Sequence, residues 1–269
     1  MTASAPSGQH LDWAALSDLG QRRTNNEDSW GVLRPGPRPE ALTAARVALA
    51  GSGALLIMSD GMGGARGGEI ASSFCVEHLA AEIGARVEQP DAIQAMHEAL
   101  VATHEALVRR ADSNEEWHGM GATLSALWLQ PGGRAVLGHV GDSRIYRSRG
   151  GLLEQLSEDH NVGASMLRRG EITAEAATRM KFRSLLEQAM GADGTPIDPQ
   201  VRELDLAPGD VFVLCSDGLY GPLGEELEPL LRAKLADALP LAATALVAAA
   251  KAAGGPDNIT VVLARLLPT

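Results

Sequence analysis

Only two cysteines occur in the 269 residues, Cys75 and Cys215, each inside an apolar stretch. That scarcity excludes a disulfide-stapled secreted scaffold and fits two buried thiols in a reducing cytoplasm. No Cys/His cluster stands at zinc spacing. Residues 1–10 are polar and lack an apolar centre, so there is no secretory signal. The longest apolar run, 238–250, is alanine-rich, contains Pro240 and falls short of the roughly 20 residues a membrane span needs. These absences predict a soluble cytoplasmic protein with no membrane partner. Basic blocks are missing too: 34 acidic residues against 23 basic ones leave a net charge of −11. Such a balance argues against a nucleic-acid partner, which calls for a positive face.

What is present suffices for one domain. With 45% hydrophobic residues the chain can bury a sizeable core, and residues 1–11 read as a disordered leader before a single domain over 12–269. Strand patterns fall at 53–58, 124–129, 135–140, 143–147, 152–156, 211–215 and 259–263. Gly150-Gly151 predicts a hairpin turn, and closely spaced strands predict antiparallel sheets. Helical spacing is expected over 69–87, with a second helix from Asp91 and Gln94 as a capping-box partner. Ile93, Leu100 and Leu107 are expected on that helix's inner face, with His97 and His104 on the same stripe as boundary packing rather than a metal pair. A third helical region, 230–253, stops at Gly254-Gly255. The segment 34–52, with its prolines, reads as a surface excursion, and 161–182 as short helices with mobile joints.

The chemical signal is an echo. Ser59-Asp60-Gly61 and Ser216-Asp217-Gly218 each follow an apolar strand run. Singly, an Asp-Gly after a strand is most simply a turn. Repetition argues for more, and Asp142 and Asp257 flank two further strands, while Glu27 and Asp28 precede Trp30-Gly31-Val32. Carboxylates gathered at strand ends repel one another unless a cation joins them. Hard divalent cations such as Mg(II) and Mn(II) suit oxygen donors, and a metal pair serves phosphoryl transfer. Spacing alone does not bring these aspartates together.

The run Gly20-Gln21-Arg22-Arg23-Thr24-Asn25-Asn26-Glu27-Asp28 resembles the opening motif of the metal-dependent (type 2C, PPM) protein phosphatases. Asp60-Gly61-Met62-Gly63-Gly64, Gly121-Ala122-Thr123, Gly141-Asp142-Ser143-Arg144, Ser157-Glu158-Asp159-His160, Ser216-Asp217-Gly218-Leu219 and Asp257-Asn258-Ile259-Thr260 follow in the family's order. The resemblance implies an α+β fold, a four-layer α-β-β-α sandwich of two antiparallel sheets flanked by helices. It implies a bacterial Ser/Thr phosphatase that cleaves phosphoserine and phosphothreonine with a metal-bridging hydroxide and reverses a Ser/Thr kinase. Its partners would be phosphorylated proteins, among them that kinase and its substrates, and it would act as a monomer.

The resemblance also implies roles. Asp60 bridges two Mn(II) or Mg(II) ions, with the Gly61 carbonyl as an added ligand. Asp217 and Asp257 hold the first ion, and Glu27 and Asp28 serve the second, directly or through water. Asp142 with Asp217 matches a third, weaker position. Arg23 grips the substrate phosphate, for which a planar guanidinium suits better than an ammonium. Arg22 is a surface charge, Asn258 fixes the loop of Asp257, and His160 is structural. Segment 161–185 resembles the flap that influences substrate choice in bacterial members. Met62 stands where eukaryotic members often carry a His general acid. Two rival classes are a pseudophosphatase binding module, opposed by the complete carboxylate set, and a different two-metal phosphoesterase, opposed by the motif order. The 63–68 stretch lacks Gly-Lys-Ser/Thr and is not a nucleotide loop.

Overall fold

The computed structural model describes residues 9–62, 67–180, 182 and 184–267. Five strands come first: β1 (His10–Asp18), β2 (Asp28–Arg34), β3 (Glu40–Ala41), β4 (Arg46–Ala48) and β5 (Ala54–Met62). Two long helices follow, α1 (Gly67–Arg86) and α2 (Ala92–Asp112). Next are β6 (Gly121–Ala122), β7 (Leu124–Gln130), β8 (Arg134–Val140), β9 (Arg144–Arg149) and β10 (Leu152–Gln155). Short helices α3 (Val162–Arg168) and α4 (Ala174–Arg179) lead to β11 (Met190–Gly191), β12 (Gln200–Asp205) and β13 (Val211–Cys215). Then come α5 (Asp217–Leu223), α6 (Leu227–Lys234), α7 (Leu239–Ala252) and β14 (Ile259–Leu266).

Two antiparallel sheets result. One runs β10-β9-β13-β14-β1-β4; the other runs β11-β6-β5-β7-β8-β12, with β2 also paired to β5 and β3 to β2. Strand periodicity of two explains how they stack, because successive side chains of a buried strand feed opposite layers. In β5, Leu56 and Met58 meet Leu127, Leu137, Phe212 and Val262 between the sheets. Leu55 and Ile57 point the other way, onto Leu79 and Ile83 of α1 and Met96 and Leu100 of α2. In β13, Phe212 and Leu214 join the central layer while Val213 and Cys215 pack with Leu231 and Leu246 of α6 and α7. Each fully buried aliphatic side chain contributes roughly 1.5–3 kcal/mol. The layers are therefore helix, sheet, sheet, helix, the expected α+β sandwich.

Several local expectations need correction. β5 does not stop at Met58 but continues through Ser59-Asp60-Gly61 to Met62. β1 begins at His10, and Leu11 is fully buried, so a leader cannot extend to residue 11; residues 1–8 lie outside the described chain. The 230–253 region is not one helix: α6 ends at Lys234 and α7 starts at Leu239, with Pro240 in its first turn, where its missing N–H is harmless. On α2, Asp91 Oδ1 accepts from the N–H groups of Ile93 and Gln94, both at 3.0 Å. Gln94 bonds Glu98 instead of returning to Asp91, so the capping box is half made. Ile93 is exposed rather than inward, as is His97, while His104 is buried with Nδ1 accepting from the Gly191 N–H. Both cysteines are buried free thiols. Among the described residues no helix is long and apolar enough to cross a membrane.

Candidate active site

Backbone pairing collects the carboxylates at one end of the sandwich. Asp28, at the start of β2, sits directly opposite Asp60 near the end of β5. Asp217 opens α5 immediately after β13, Asp257 precedes β14, and β13 pairs with β14. Asp142 follows β8.

The glycine after each repeated aspartate has a packing reason. A Cβ on Gly61 would lie 2.1 Å from the Gly68 carbonyl oxygen and 2.7 Å from that of Glu27. One on Gly218 would lie 1.9 Å from the Asn258 carbonyl oxygen. Neither Asp-Gly is a turn: the first lies in a strand and the second begins a helix. Only glycine lets the backbones bearing Glu27, Asp257 and the start of α1 approach so closely.

Hydrogen bonds then lock the carboxylate segments together. Asn258 Oδ1 accepts from the Glu27 N–H at 2.9 Å, and its Nδ2 donates to the carbonyls of Leu19 at 3.1 Å and Asn25 at 2.9 Å. Asn258 thus joins the Asp257 loop to the Arg23–Asp28 loop, a wider role than fixing one loop. Ser216 Oγ donates to Asp28 Oδ2 at 2.9 Å, while the Thr260 N–H donates to Ser216 Oγ at 3.0 Å. Asp60 is held through its backbone: its N–H donates to Thr123 Oγ1 at 3.0 Å and its carbonyl accepts from the Thr123 N–H at 2.8 Å. Tyr220 donates its hydroxyl to the Asp142 carbonyl at 3.0 Å and lies 3.8 Å from the Arg144 guanidinium, which is paired with Asp159. Of these supports, Ser216 and Thr123 stood in the sequence motifs without roles, and Tyr220 had no signal beyond lying three residues after Asp217.

Arg23 Nη2 lies 2.7 Å from Asp257 Oδ2, and this contact raises the Arg23 pKa. Arg22 is exposed. His160 is buried, and its Nδ1 accepts from the Gly141 N–H at 3.3 Å.

Burial and mutual repulsion hold the carboxyl pKa values high. Asp60 is pushed well above the carboxylate range by burial, then by Asp28, Asp217, Asp142 and Asp257. Burial raises Asp28 to about 6, tempered by hydrogen bonds from Thr260 and Ser216. Burial, then Asp257, raises Asp217 to about 6. Asp142 rises to about 7 through burial, then Asp217 and Asp159. Glu27 is raised by burial, with Arg23 opposing. Asp28 Oδ1 is buried with no hydrogen-bond partner. Among the described residues no three of these groups already converge at metal-ligating distances. The donor set nonetheless fits hard divalent cations: it is all oxygen, mutually repulsive and includes an unpartnered buried oxygen.

A cavity of ≈ 490 Å³ opens over this cluster, lined by Arg23, Asp60, Gly61, Asp142, Asp217 and Asp257 among others. Glu27 does not line it. Asp28 borders a separate opening of ≈ 420 Å³ with Asn26, Trp30 and Glu77. Met62 lines the main cavity, while Gly63 and Gly64 of its motif fall outside the described residues.

Fold and carboxylate cluster together define a type 2C phosphatase, and residues 44–253 match the family model described as Protein phosphatase 2C. The chain belongs to that family. It is 35% identical to the serine/threonine protein phosphatase PstP of Mycobacterium tuberculosis over 256 residues, covering 94% of this chain but 45% of that protein. The protein phosphatase PhpP of Streptococcus pneumoniae is 31% identical over 259 residues, 94% of this chain and 96% of the other. Among solved structures, the catalytic domain of PstP in complex with two manganese ions superposes with a TM-score of 0.78 at 32% identity, covering 97% of this chain and 100% of that one.

Proposed function

We propose that this chain hydrolyses phosphoserine and phosphothreonine on proteins, and that it reverses a Ser/Thr kinase. The gathering of Asp60, Asp142, Asp217 and Asp257 around one cavity with Arg23, and of Asp28 beside Asp60 on the paired strand, carries the reading. Asp60, Asp217 and Asp257 would hold one divalent cation, and Asp60, Asp28, Glu27 and the Gly61 carbonyl a second. Asp142 with Asp217 would serve a third, weaker position. Manganese in the PstP complex supports Mn(II) as the ion, with Mg(II) as the alternative hard cation. Bound cations supply charge neutralisation and Lewis-acid polarisation at the phosphoryl group.

The chain's own residues orient and bind. Arg23 would pair with two phosphoryl oxygens, fixing the phosphate for in-line displacement. Ser216, Thr123 and Asn258 keep the carboxylates in place through the hydrogen bonds above, so their mutual repulsion does not splay the site. The test is phosphate release from a phosphothreonine peptide with Mn(II) and with EDTA. Release with the metal and loss with the chelator are expected. A metal-loaded protein that cleaves para-nitrophenyl phosphate but no phosphopeptide would overturn the protein-phosphatase reading.

A further inference from the structure

Beyond its charged groups, the cavity has a second kind of lining: Met62, Leu185, Leu186, Pro196 and Ile197. Leu185 is 60% exposed. Among the described residues eight large apolar side chains are exposed, and three of them, Leu167, Phe182 and Leu185, fall between 161 and 185. Apolar groups concentrated beside a reaction site mark a contact surface.

This apolar bank is held in place. The Leu185 carbonyl accepts from the Val162 N–H at 2.9 Å, and the Glu187 N–H donates to the His160 carbonyl at 2.8 Å. Gln188 Oε1 accepts from the Asp198 N–H at 2.6 Å, tying the 184–188 segment to the segment carrying Pro196 and Ile197. Ile197 packs against the core cluster under α1 and α2.

Charge chooses among ligands. Glu187 and Asp193 also line the cavity and are exposed, so an acidic neighbour of the phosphoresidue would meet like charge. Arg168 and Arg169 are engaged with Glu158 and Glu171. An extended peptide sends side chains i and i±2 to the same face. With the phosphate at Arg23 and the aspartates, the residue two positions away would enter the same cavity.

We propose that the bank centred on Leu185 and Ile197 is a specificity subsite that receives an aliphatic side chain two residues from the phosphorylated residue. The proposal rests on the protein-phosphatase reading. Its test is kcat/KM for Mn(II)-loaded protein on phosphothreonine peptides carrying Leu, Gly or Asp at each position from −3 to +3. Leu should exceed Gly by about tenfold at −2 or +2 alone, with Asp poorest there, and the gain should lie in KM. Leu185→Ser and Ile197→Ser should each bring the Leu-to-Gly ratio towards one. A flat positional profile, a preference for Asp, or a ratio unchanged in both variants would overturn the subsite while leaving peptide hydrolysis intact. Cleavage of para-nitrophenyl phosphate without any peptide cleavage would overturn the underlying function.

Discussion

At the scale of single residues, the proposed function gives Arg23 and the aspartates separable tasks. Arg23 touches Asp257 and lines the cavity, and the role proposed for it is to bind phosphate. Arg23→Ala should raise KM for a phosphothreonine peptide by about tenfold or more, as expected for loss of a charge-assisted pair. Arg23→Lys should restore only part of it, because the ammonium lacks the planar fork; full recovery would remove the bidentate role. The aspartates drew attention in the sequence because each stands beside a strand and because Ser-Asp-Gly occurs twice, at Asp60 and at Asp217. The reason for their flanking glycines was not legible there. Gly61 and Gly218 look like turn residues in sequence, and only the approach of Gly68 and Asn258 shows that they clear space between distant segments. Gly218→Ala should therefore destabilise the fold by about 2–3 kcal/mol through overpacking against backbone. A denaturation midpoint equal to wild type would contradict that packing.

At the scale of elements, strands with apolar runs were the easiest to read. β13 matches its expected limits, and β14 extends three residues beyond them. β1 and β12 were missed because polar residues interrupt them: Asp12 and Ser17 in one, Gln200, Arg202 and Glu203 in the other. Among the described residues β12 pairs only with β8, and an edge strand need not be apolar on both faces. The break between α6 and α7 was hidden by continuous helix propensity, which outweighed the signal from Pro240. Asn258 is the element-scale linchpin, since three hydrogen bonds from one side chain join the β14 entry to the loop before β2. Asn258→Ala should cost about 2–3 kcal/mol by stranding those partners. It should also weaken Mn(II) binding measured by calorimetry; stability lost without any change in metal affinity would confine Asn258 to the scaffold.

At the scale of the whole molecule, the acidic balance and the site are one electrostatic problem. Asp28, Asp142 and Asp217 have folded pKa values of about 6, 7 and 6, above the ordinary carboxylate value. A folded pKa that is raised favours folding at low pH, and that contribution fades as pH rises through the folded value. Metal-free protein should therefore lose stability from this cluster between about pH 4 and pH 7, from the unfolded carboxylate value up through the folded ones. Divalent cations relieve the same repulsion, so Mn(II) should raise Tm more at pH 8 than at pH 5. An equal or smaller rise at pH 8 would contradict the electrostatic account. The sandwich architecture was legible only through the resemblance of ordered motifs, since strand lists cannot specify how two sheets stack.

In the proposed function, one cluster of aspartates holds the cations that hydrolysis needs. The most direct test of that role is the Mn(II) dependence of phosphothreonine-peptide hydrolysis by wild type and Asp217→Asn. Saturable activation of wild type and a fall in kcat on the order of 100-fold or more in the variant are expected. Full wild-type activity in Asp217→Asn at the same Mn(II) concentration would contradict that role.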